Sequence, residues 1–185
     1  MARLIYTVIA SLDGYVNDAE GRFDWAAPDD EVHAFVNDLE RPMGTHLYGR
    51  RMYETMAVWQ TMGTAPQDSA VERDFGSIWR AAEKIVYSST LREATTPRTR
   101  IERAFDADQI RQLKAASERD ITVGGPHLAA AMIAANLVDE FHAFVHPFIV
   151  GGGTPFLPHD VRIPLELVRE QRLDRIVHLH YRSAR

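Results

Sequence analysis

The chain has 185 residues, a hydrophobic share of 45% and a charged share of 25%. These values are typical of one globular domain, and we expect a single domain over residues 1–185. The absence of cysteine excludes disulfides, thiolate nucleophiles and cysteine-ligated zinc, and it fits a cytoplasmic location. A formal net charge of −5 argues against a nucleic-acid partner, and no apolar run is long enough to suggest a membrane partner.

Predicted strands and helices alternate along the first half of the chain. β-Branched and aromatic residues predict a buried strand at Arg3–Ala10, followed by a long connection of the kind that is often functional. Apolar residues at helical spacing predict a helix from just after Pro28 to about Glu40, with acidic residues in its first turn. A short strand at Thr45–Gly49 and a helix beginning at Arg50 come next.

The second half continues this alternation and ends in a different pattern. In order, we predict a helix over 70–83, a strand at Lys84–Ser89, a strand over 99–105, a helix capped by Asp106, a strand at Ile121–Val123, a helix at Pro126–Ala135 terminated by Asn136, and a long strand over 138–150 interrupted by Pro147. Two alternating runs, 165–173 and 175–182, then predict an antiparallel pair at a sheet edge. The whole pattern predicts an α/β domain with three layers and a mainly parallel central sheet, which binds ligands at the carboxyl ends of its strands.

Gly124 and Gly125 stand where a predicted strand ends and a helix begins. A helix start has unpaired N–H groups and a partial positive charge, and glycine lets an anion such as a pyrophosphate approach them closely. The alternative is a bare turn that needs a positive φ angle. Both interpretations stay open on these residues alone, because the three-glycine dinucleotide fingerprint is not present.

Two arginines and two serines follow the ends of other predicted strands. Arg50 and Arg51 open a helix directly after Gly49, where cations oppose the helix dipole. They make better sense beside an anion, because a guanidinium donates paired hydrogen bonds to phosphate. Solvated arginines without a ligand are the alternative. Ser88 and Ser89 either complete a phosphate pocket or cap the next turn.

Several motifs occur together in an order that points to a family. The sequence contains IASLDGYV, LYGRRMYE, IVYSS, ITVGGPHL with LVDEF, and HPFIVGGGTPFL. This ordered set resembles the dihydrofolate reductase-like superfamily, and within it the branch that contains the C-terminal reductase domain of the bifunctional riboflavin-biosynthesis protein (RibD). The resemblance implies a dihydrofolate reductase-like fold with an antiparallel C-terminal edge. It also implies hydride transfer from NADPH to a small pterin- or pyrimidine-like heterocycle, and a homodimer.

The resemblance also assigns NADPH-binding roles to positions at the strand ends. Gly49, Arg50 and Arg51 match the segment that binds the adenosine side and the 2′-phosphate, and Ser88 and Ser89 match hydroxyls near that phosphate. The turn and helix start beneath the pyrophosphate and nicotinamide match Gly124, Gly125, Pro126, His127 and Leu128. The wall of the nicotinamide pocket matches Val8 and Ile9, and the start of a mobile loop matches Asp13 and Gly14.

The segment DWAAPDDEV is similar to the one that carries the pterin-binding carboxylate of dihydrofolate reductases. Trp25 and Asp30 are therefore the expected substrate contacts, with Asp30 or Glu31 as the catalytic proton donor. The alternative is that these acids only suit the helix dipole. The segments after this helix do not reproduce a folate-tail pocket, so the resemblance does not assign folate as the substrate. We expect no zinc-dependent deaminase motif within these 185 residues, so it does not assign the riboflavin pathway either.

Two pairs of histidines fall on common faces of predicted strands and are candidate metal ligands. His142 and His146 form one pair, and His178 and His180 form the other. No third ligand stands at a suggestive spacing, so we expect no metal site, and a metal-dependent hydrolase is the weakest of three hypotheses. The first is an NADPH-dependent reductase. The second is a non-catalytic NADP-binding or regulatory protein on the same fold.

Overall fold

The computed structural model describes residues 1–184 and contains two β-sheets flanked by helices. The strands are β1 (Leu4–Ser11), β2 (Tyr15–Asn17), β3 (Met43–Gly49), β4 (Glu83–Tyr87), β5 (Thr99–Glu102), β6 (Asp120–Gly124), β7 (Glu140–His146), β8 (Thr154–Pro155), β9 (Leu165–Leu173) and β10 (Ile176–Ser183). The α-helices are α1 (Asp30–Glu40), α2 (Arg50–Met56), α3 (Ala70–Ala81), α4 (Ala107–Ala116) and α5 (Pro126–Ala134), and two 3-10 helices span Asp24–Ala26 and Ala57–Gln60.

The central sheet has eight strands in the order β5-β4-β3-β6-β1-β7-β10-β9. The pairings from β5 to β7 are parallel, whereas β10 pairs antiparallel with both β7 and β9. Strands β2 and β8 form a separate antiparallel pair. The predicted mainly parallel sheet with an antiparallel C-terminal edge is therefore confirmed. Between residues 1 and 184, no helix is long and apolar enough to cross a membrane.

Strand β1 lies in the middle of the sheet, and its side chains alternate between two hydrophobic clusters. Leu4 and Tyr6 pack with residues of α5, including Met132, on one face. Ile9 packs on the other face against Val32 and neighbouring residues of α1. Because each large apolar side chain contributes about 1.5–3 kcal/mol when fully buried, helices on both faces stabilise this central strand. The three-layer arrangement follows from this alternation.

Most predicted elements are present, and the differences have local causes. The strand predicted over 138–150 ends at His146, because Pro147 cannot donate a ladder hydrogen bond, and Phe148–Val150 has no strand structure. Strand β4 ends at Tyr87 rather than at Ser89. The long connection after β1 is not wholly irregular, since it contains β2 and a 3-10 helix. The predicted Asp106 cap of α4 is confirmed, as its side chain accepts from two backbone N–H groups.

Candidate functional site

Three turns that the sequence indicated as ligand-binding lie side by side at the carboxyl edge of the parallel sheet. Gly49 of β3 is in register with Tyr87 of β4. Tyr48 of β3 is in register with Gly124 of β6. The turns after β4, β3 and β6 therefore leave neighbouring strands at the same level, as parallel strands with short connections require.

The turn after β3 is open above its glycine and carries two exposed arginines. A Cβ atom added to Gly49 would have no neighbour within 4 Å. Arg50 donates from Nε to Glu54 at 2.7 Å and from Nη1 to the hydroxyl of Thr90 at 3.0 Å. Arg50 thus links α2 to the turn after β4, while Arg51 is exposed beside it. Two of the three turns are joined by a guanidinium.

The paired glycines after β6 have structural reasons of their own. Gly125 has a φ of 93°, which favours glycine. A Cβ on Gly124 would lie 2.7 Å from Cε1 of Tyr48, so that position admits no side chain without a shift. The positive-φ interpretation therefore applies to Gly125, whereas Gly124 is required by its close contact with Tyr48. Whether an anion binds at this turn therefore depends on the first turn of α5, the helix that follows the two glycines.

That helix, α5, begins differently from three other helices of the chain. Its N-cap residue is Gly125 and Pro126 follows, and no side chain within residues 1–184 caps it. By contrast, Asp29, Ser69 and Asp106 cap α1, α3 and α4. His127 is exposed in the first turn of α5, and Leu128 is buried in the core. The first turn of α5 therefore offers backbone donors at the sheet edge without a competing side-chain acceptor.

The two serines after β4 differ in environment. Ser88 is buried, and its hydroxyl accepts from the backbone N–H of Thr90 and of Leu91. Its carbonyl oxygen accepts from Arg103, a residue that the sequence did not indicate. Ser88 is thus a turn cap, whereas the side chain of Ser89 is exposed at the edge. Of the two alternatives left open by the sequence, capping applies to the first serine.

The loop after β1 is fastened to the glycine-rich segment 151–153. The carboxylate of Asp13 accepts from the Ser11 hydroxyl at 2.7 Å and from the backbone N–H groups of Val150 and Gly151 at 3.1 and 2.8 Å. These hydrogen bonds, with that from Ser11 the largest, lower the pKa of Asp13. Gly14 has a φ of 91° and lies against Phe156. The two loops form one wall beyond the end of β1.

The predicted nicotinamide wall is divided between the two faces of the sheet. Val8 packs with the cluster that includes α5, and Ile9 packs with the cluster under α1. Both side chains are half-buried. Because successive strand residues point to opposite faces, their side chains cannot line one common surface.

An aromatic cluster lies at the end of β1, and of its members the sequence indicated only Trp25 as a substrate contact. The ring of Trp25 stacks on Phe148 with centroids 5.6 Å apart and meets the edge of His146 at 6.0 Å. His146 is in register with Ser11, the last residue of β1. Trp25 Nε1 and His146 Nε2 are buried and have no hydrogen-bond partner among residues 1–184. Burial lowers the pKa of His146, which favours a neutral imidazole.

The predicted proton donors lie in the first turn of α1. Asp30 and Glu31 are both exposed, and in the part of the chain that the structure describes neither side chain forms a hydrogen bond. The preceding residue, Asp29, is the helix cap, and its Oδ1 accepts from Val32 N–H at 2.9 Å. Asp30 and Glu31 follow in the first turn of the helix, so the helix-dipole alternative holds for both of them as well. The catalytic role of Asp30 or Glu31 stays a prediction.

The sheet order, the three turns at its carboxyl edge and the antiparallel β9–β10 pair define a dihydrofolate reductase-like α/β fold. The RibD C-terminal domain family model matches residues 2–179. The chain belongs to this family, which confirms the resemblance inferred from the motifs.

Three known proteins illustrate the similarity. YyaP, an uncharacterized protein of Bacillus subtilis strain 168, is 29% identical over 170 residues, which covers 90% of this chain and 86% of YyaP. A candidate riboflavin biosynthesis protein from Shewanella sp. PV-4 has a TM-score of 0.77 at 20% identity, with all of both chains covered. Dihydrofolate reductase from Enterococcus faecalis, solved with NADP(H), has a TM-score of 0.63 at 14% identity, covering 99% of this chain and 97% of that one.

Proposed function

We propose that this protein is an NADPH-dependent reductase that transfers hydride to a small pterin- or pyrimidine-like heterocycle. One observation carries the proposal: the turns after β4, β3 and β6 leave adjacent strands at the same level of the sheet. An elongated dinucleotide needs such a row of contacts, and ligands of open α/β sheets bind outside the carboxyl ends of the strands. The fold shared with a reductase that was solved with NADP(H) supports the same assignment.

The two ends of the row suit different parts of the cofactor. At one end, Arg50, Arg51 and the exposed Ser89 offer charged and hydroxyl donors, the groups that bind a phosphate monoester. In the middle, the uncapped first turn of α5 offers backbone N–H groups to a pyrophosphate. An extra phosphate at the arginine end would make the site select NADPH over NADH.

The other end of the row provides a place for a flat substrate. Trp25 and the exposed Phe148 form an aromatic wall against which a flat heterocycle would pack. Bound NADPH would supply the hydride, while the protein sets distance, orientation and exclusion of water. Asp30 or Glu31, directly or through water, would supply the proton.

A non-catalytic NADP-binding protein is the second candidate. The exposed positions of Asp30 and Glu31 favour it, because a proton donor in a reductase usually acts from a cleft closed to bulk water. Tight NADPH binding without NADPH oxidation across a panel of pterins, pyrimidines and cyclic imines would support this second candidate against the first.

The test is a fluorescence or calorimetric titration of the full chain with NADPH and NADH. We expect NADPH to bind more tightly, and Arg50→Ala to weaken NADPH by about ten- to a hundredfold with little change for NADH. That range corresponds to about 1.5–3 kcal/mol for lost hydrogen bonds to a charged group.

Arg111→Ala is the matched control, since Arg111 is an exposed arginine on α4 that contacts Asp108 rather than the turns. Its affinities should equal those of the unchanged protein. Equal, weak binding of NADPH and NADH would contradict the proposal, as would an Arg50→Ala protein that still prefers NADPH.

A further inference from the structure

Four ionisable side chains gather on the sheet face under α1, away from the three turns. Strands β7 and β10 pair so that His142 lies directly opposite His180 and Phe144 lies opposite His178. Glu140 is two residues before His142 and therefore points to the same face. The sequence indicated the histidine pairs but no third ligand. The antiparallel register of β7 and β10 brings the Glu140 carboxylate next to His180.

Three ligand atoms of this cluster converge. Glu140 Oε2 lies 3.1 Å from His180 Nε2 and 3.8 Å from His142 Nε2, and the three residues have ligand atoms all within 4.8 Å of one another. Ligands of a tetrahedral zinc ion at about 2.0–2.1 Å would be about 3.3 Å apart, close to these separations. The rings of His142 and His180 are stacked at 4.1 Å. The three atoms are close enough to share one ion, and the stacked His142 and His180 rings must tilt apart to do so, because an imidazole binds a metal in the plane of its ring.

Outer contacts orient two of the three ligands. Arg3 Nη1 donates to Glu140 Oε1 at 2.8 Å, which leaves Oε2 turned toward the histidines. His142 Nδ1 is 3.0 Å from His178 Nε2, so its other nitrogen faces Glu140. The buried His178 Nδ1 has no partner within residues 1–184. Such second partners on ligating histidines and carboxylates are typical of metal centres.

A cavity next to the cluster leaves room for a further ligand. It has a volume of about 240 Å³ and is lined by the cluster, by Ile5 and Thr7 of β1, and by Leu39 of α1. Arg3, Arg169 and Asp38 also line it, so charges of both signs border the remaining coordination position, which water can fill. From His142 to the carboxyl end of β7 at His146 the strand rises by about 13 Å, so the cluster is separate from the turns.

We propose that Glu140, His142 and His180 form a binding site for one divalent transition-metal ion of the zinc type, with an open position facing the cavity. Mixed imidazole and carboxylate ligands suit Zn²⁺ and Co²⁺ better than Mg²⁺ or Ca²⁺. Three protein ligands plus an exchangeable one is the arrangement of reactive rather than purely structural zinc sites. The competing explanation is a hydrogen-bonded cluster that stabilises the β7–β10 pair without metal.

The test uses CoCl₂ and ZnCl₂ as probes on full-length, tag-free protein stripped with EDTA. We expect one Co²⁺ per chain, with visible d–d absorption typical of four- or five-coordinate cobalt, and one Zn²⁺ per chain by mass spectrometry after gel filtration. The variants His180→Asn and Glu140→Gln keep the shape of the side chains and should each weaken binding at least tenfold. Circular dichroism and melting curves report whether each variant folds.

His159→Ala is the matched control, because this histidine is exposed in the segment between β8 and β9, outside the cluster, and its loss should leave cobalt binding unchanged. The proposal is overturned by the absence of stoichiometric metal. It is equally overturned by folded His180→Asn and Glu140→Gln proteins that bind cobalt as the unchanged protein does. NADPH titrations of the same samples report on the reductase proposal separately.

Discussion

At the scale of single residues, Glu40 of α1 and His46 of β3 are two buried ionisable side chains whose pKa values are strongly shifted. Glu40 ends α1 and is buried, and burial raises the pKa of its carboxyl to about 7. Burial also lowers the pKa of His46 to about 3, and His46 Nε2 lies 3.9 Å from Glu40 Oε2. His46 Nδ1 is hydrogen-bonded to the Tyr48 hydroxyl at 2.8 Å. Both groups are therefore held in their neutral forms in slightly acidic solution.

Glu40→Gln should change how stability depends on pH. A carboxyl whose pKa is raised on folding contributes stability below its unfolded pKa of 4.5, and that contribution is lost as the pH rises through about 7. The loss is at most about 3 kcal/mol. Urea unfolding at pH 5 and pH 8 should show that Gln improves the free energy of unfolding more at pH 8 than at pH 5.

The comparison with the unchanged protein isolates Glu40, because His46 acts in the opposite direction and loses stability as the pH falls below about 6.5 in both proteins. Glu31→Gln is the control, since that carboxylate is exposed. An equal effect of Glu40→Gln at both pH values would show that Glu40 titrates alike in the folded and unfolded chains.

At the scale of elements, three consecutive acids at the start of α1 occupy different positions: one caps the helix, and two lie in its first turn. Asp29 accepts from Val32 N–H and caps the helix, while Asp30 and Glu31 are exposed after it. α1 in turn covers β1 through Val32, Phe35 and neighbouring residues. The cap thus supports the helix that lines one side of the cavity beside Glu140, His142 and His180.

Asp29→Ala and Asp30→Ala should therefore have opposite signatures. Loss of an N-cap costs about 0.5–2 kcal/mol, so Asp29→Ala should lower the urea midpoint. Asp30→Ala should change stability by no more than about 0.5 kcal/mol. If Asp30 is the proton donor, its removal should lower the turnover number for NADPH oxidation while leaving the Kd for NADPH unchanged. Unchanged turnover in Asp30→Ala would move the role to Glu31 or to water, and Glu31→Gln would then distinguish these two.

At the scale of the whole molecule, the sheet ends in an unpaired strand with apolar residues on its surface. Among residues 1–184, β9 pairs only with β10. Its exposed residues include charged ones such as Glu166 and Arg169, and also Leu165, Leu167 and Val168, with Leu167 at 53%. Natural proteins usually cover or charge such an edge. A second copy of the chain would cover it, which is the homodimer expected from the resemblance.

Light scattering after size-exclusion chromatography tests this expectation. The unchanged protein should elute with twice the chain mass of 20.9 kDa, and Leu167→Lys should shift it toward the monomer because a buried ammonium at the interface is costly. Val58→Lys is the control, since Val58 is similarly exposed, at 45%, but lies far along the chain from β9. A monomeric unchanged protein at micromolar concentration would contradict the prediction.

The sequence by itself determined the order of strands and helices, the edge position of the last hairpin and the family. These depend on local periodicity, on glycine and proline at turns, and on short motifs, all of which can be read within a few residues. The predicted row of three turns followed from the same reasoning, because parallel strands with short connections place their carboxyl ends together.

Only the tertiary structure decided which distant side chains meet. In the folded chain, Trp25 stacks on Phe148 and Arg50 donates to Thr90. Ser88 caps the turn after β4, and Glu140 lies beside His180. These contacts depend on strand order and register, which are set by burial of the whole apolar surface and not by any local pattern. A shift of one residue between β7 and β10 would move every histidine on one strand to the opposite face. The cluster of Glu140, His142 and His180 therefore forms only through long-range strand pairing.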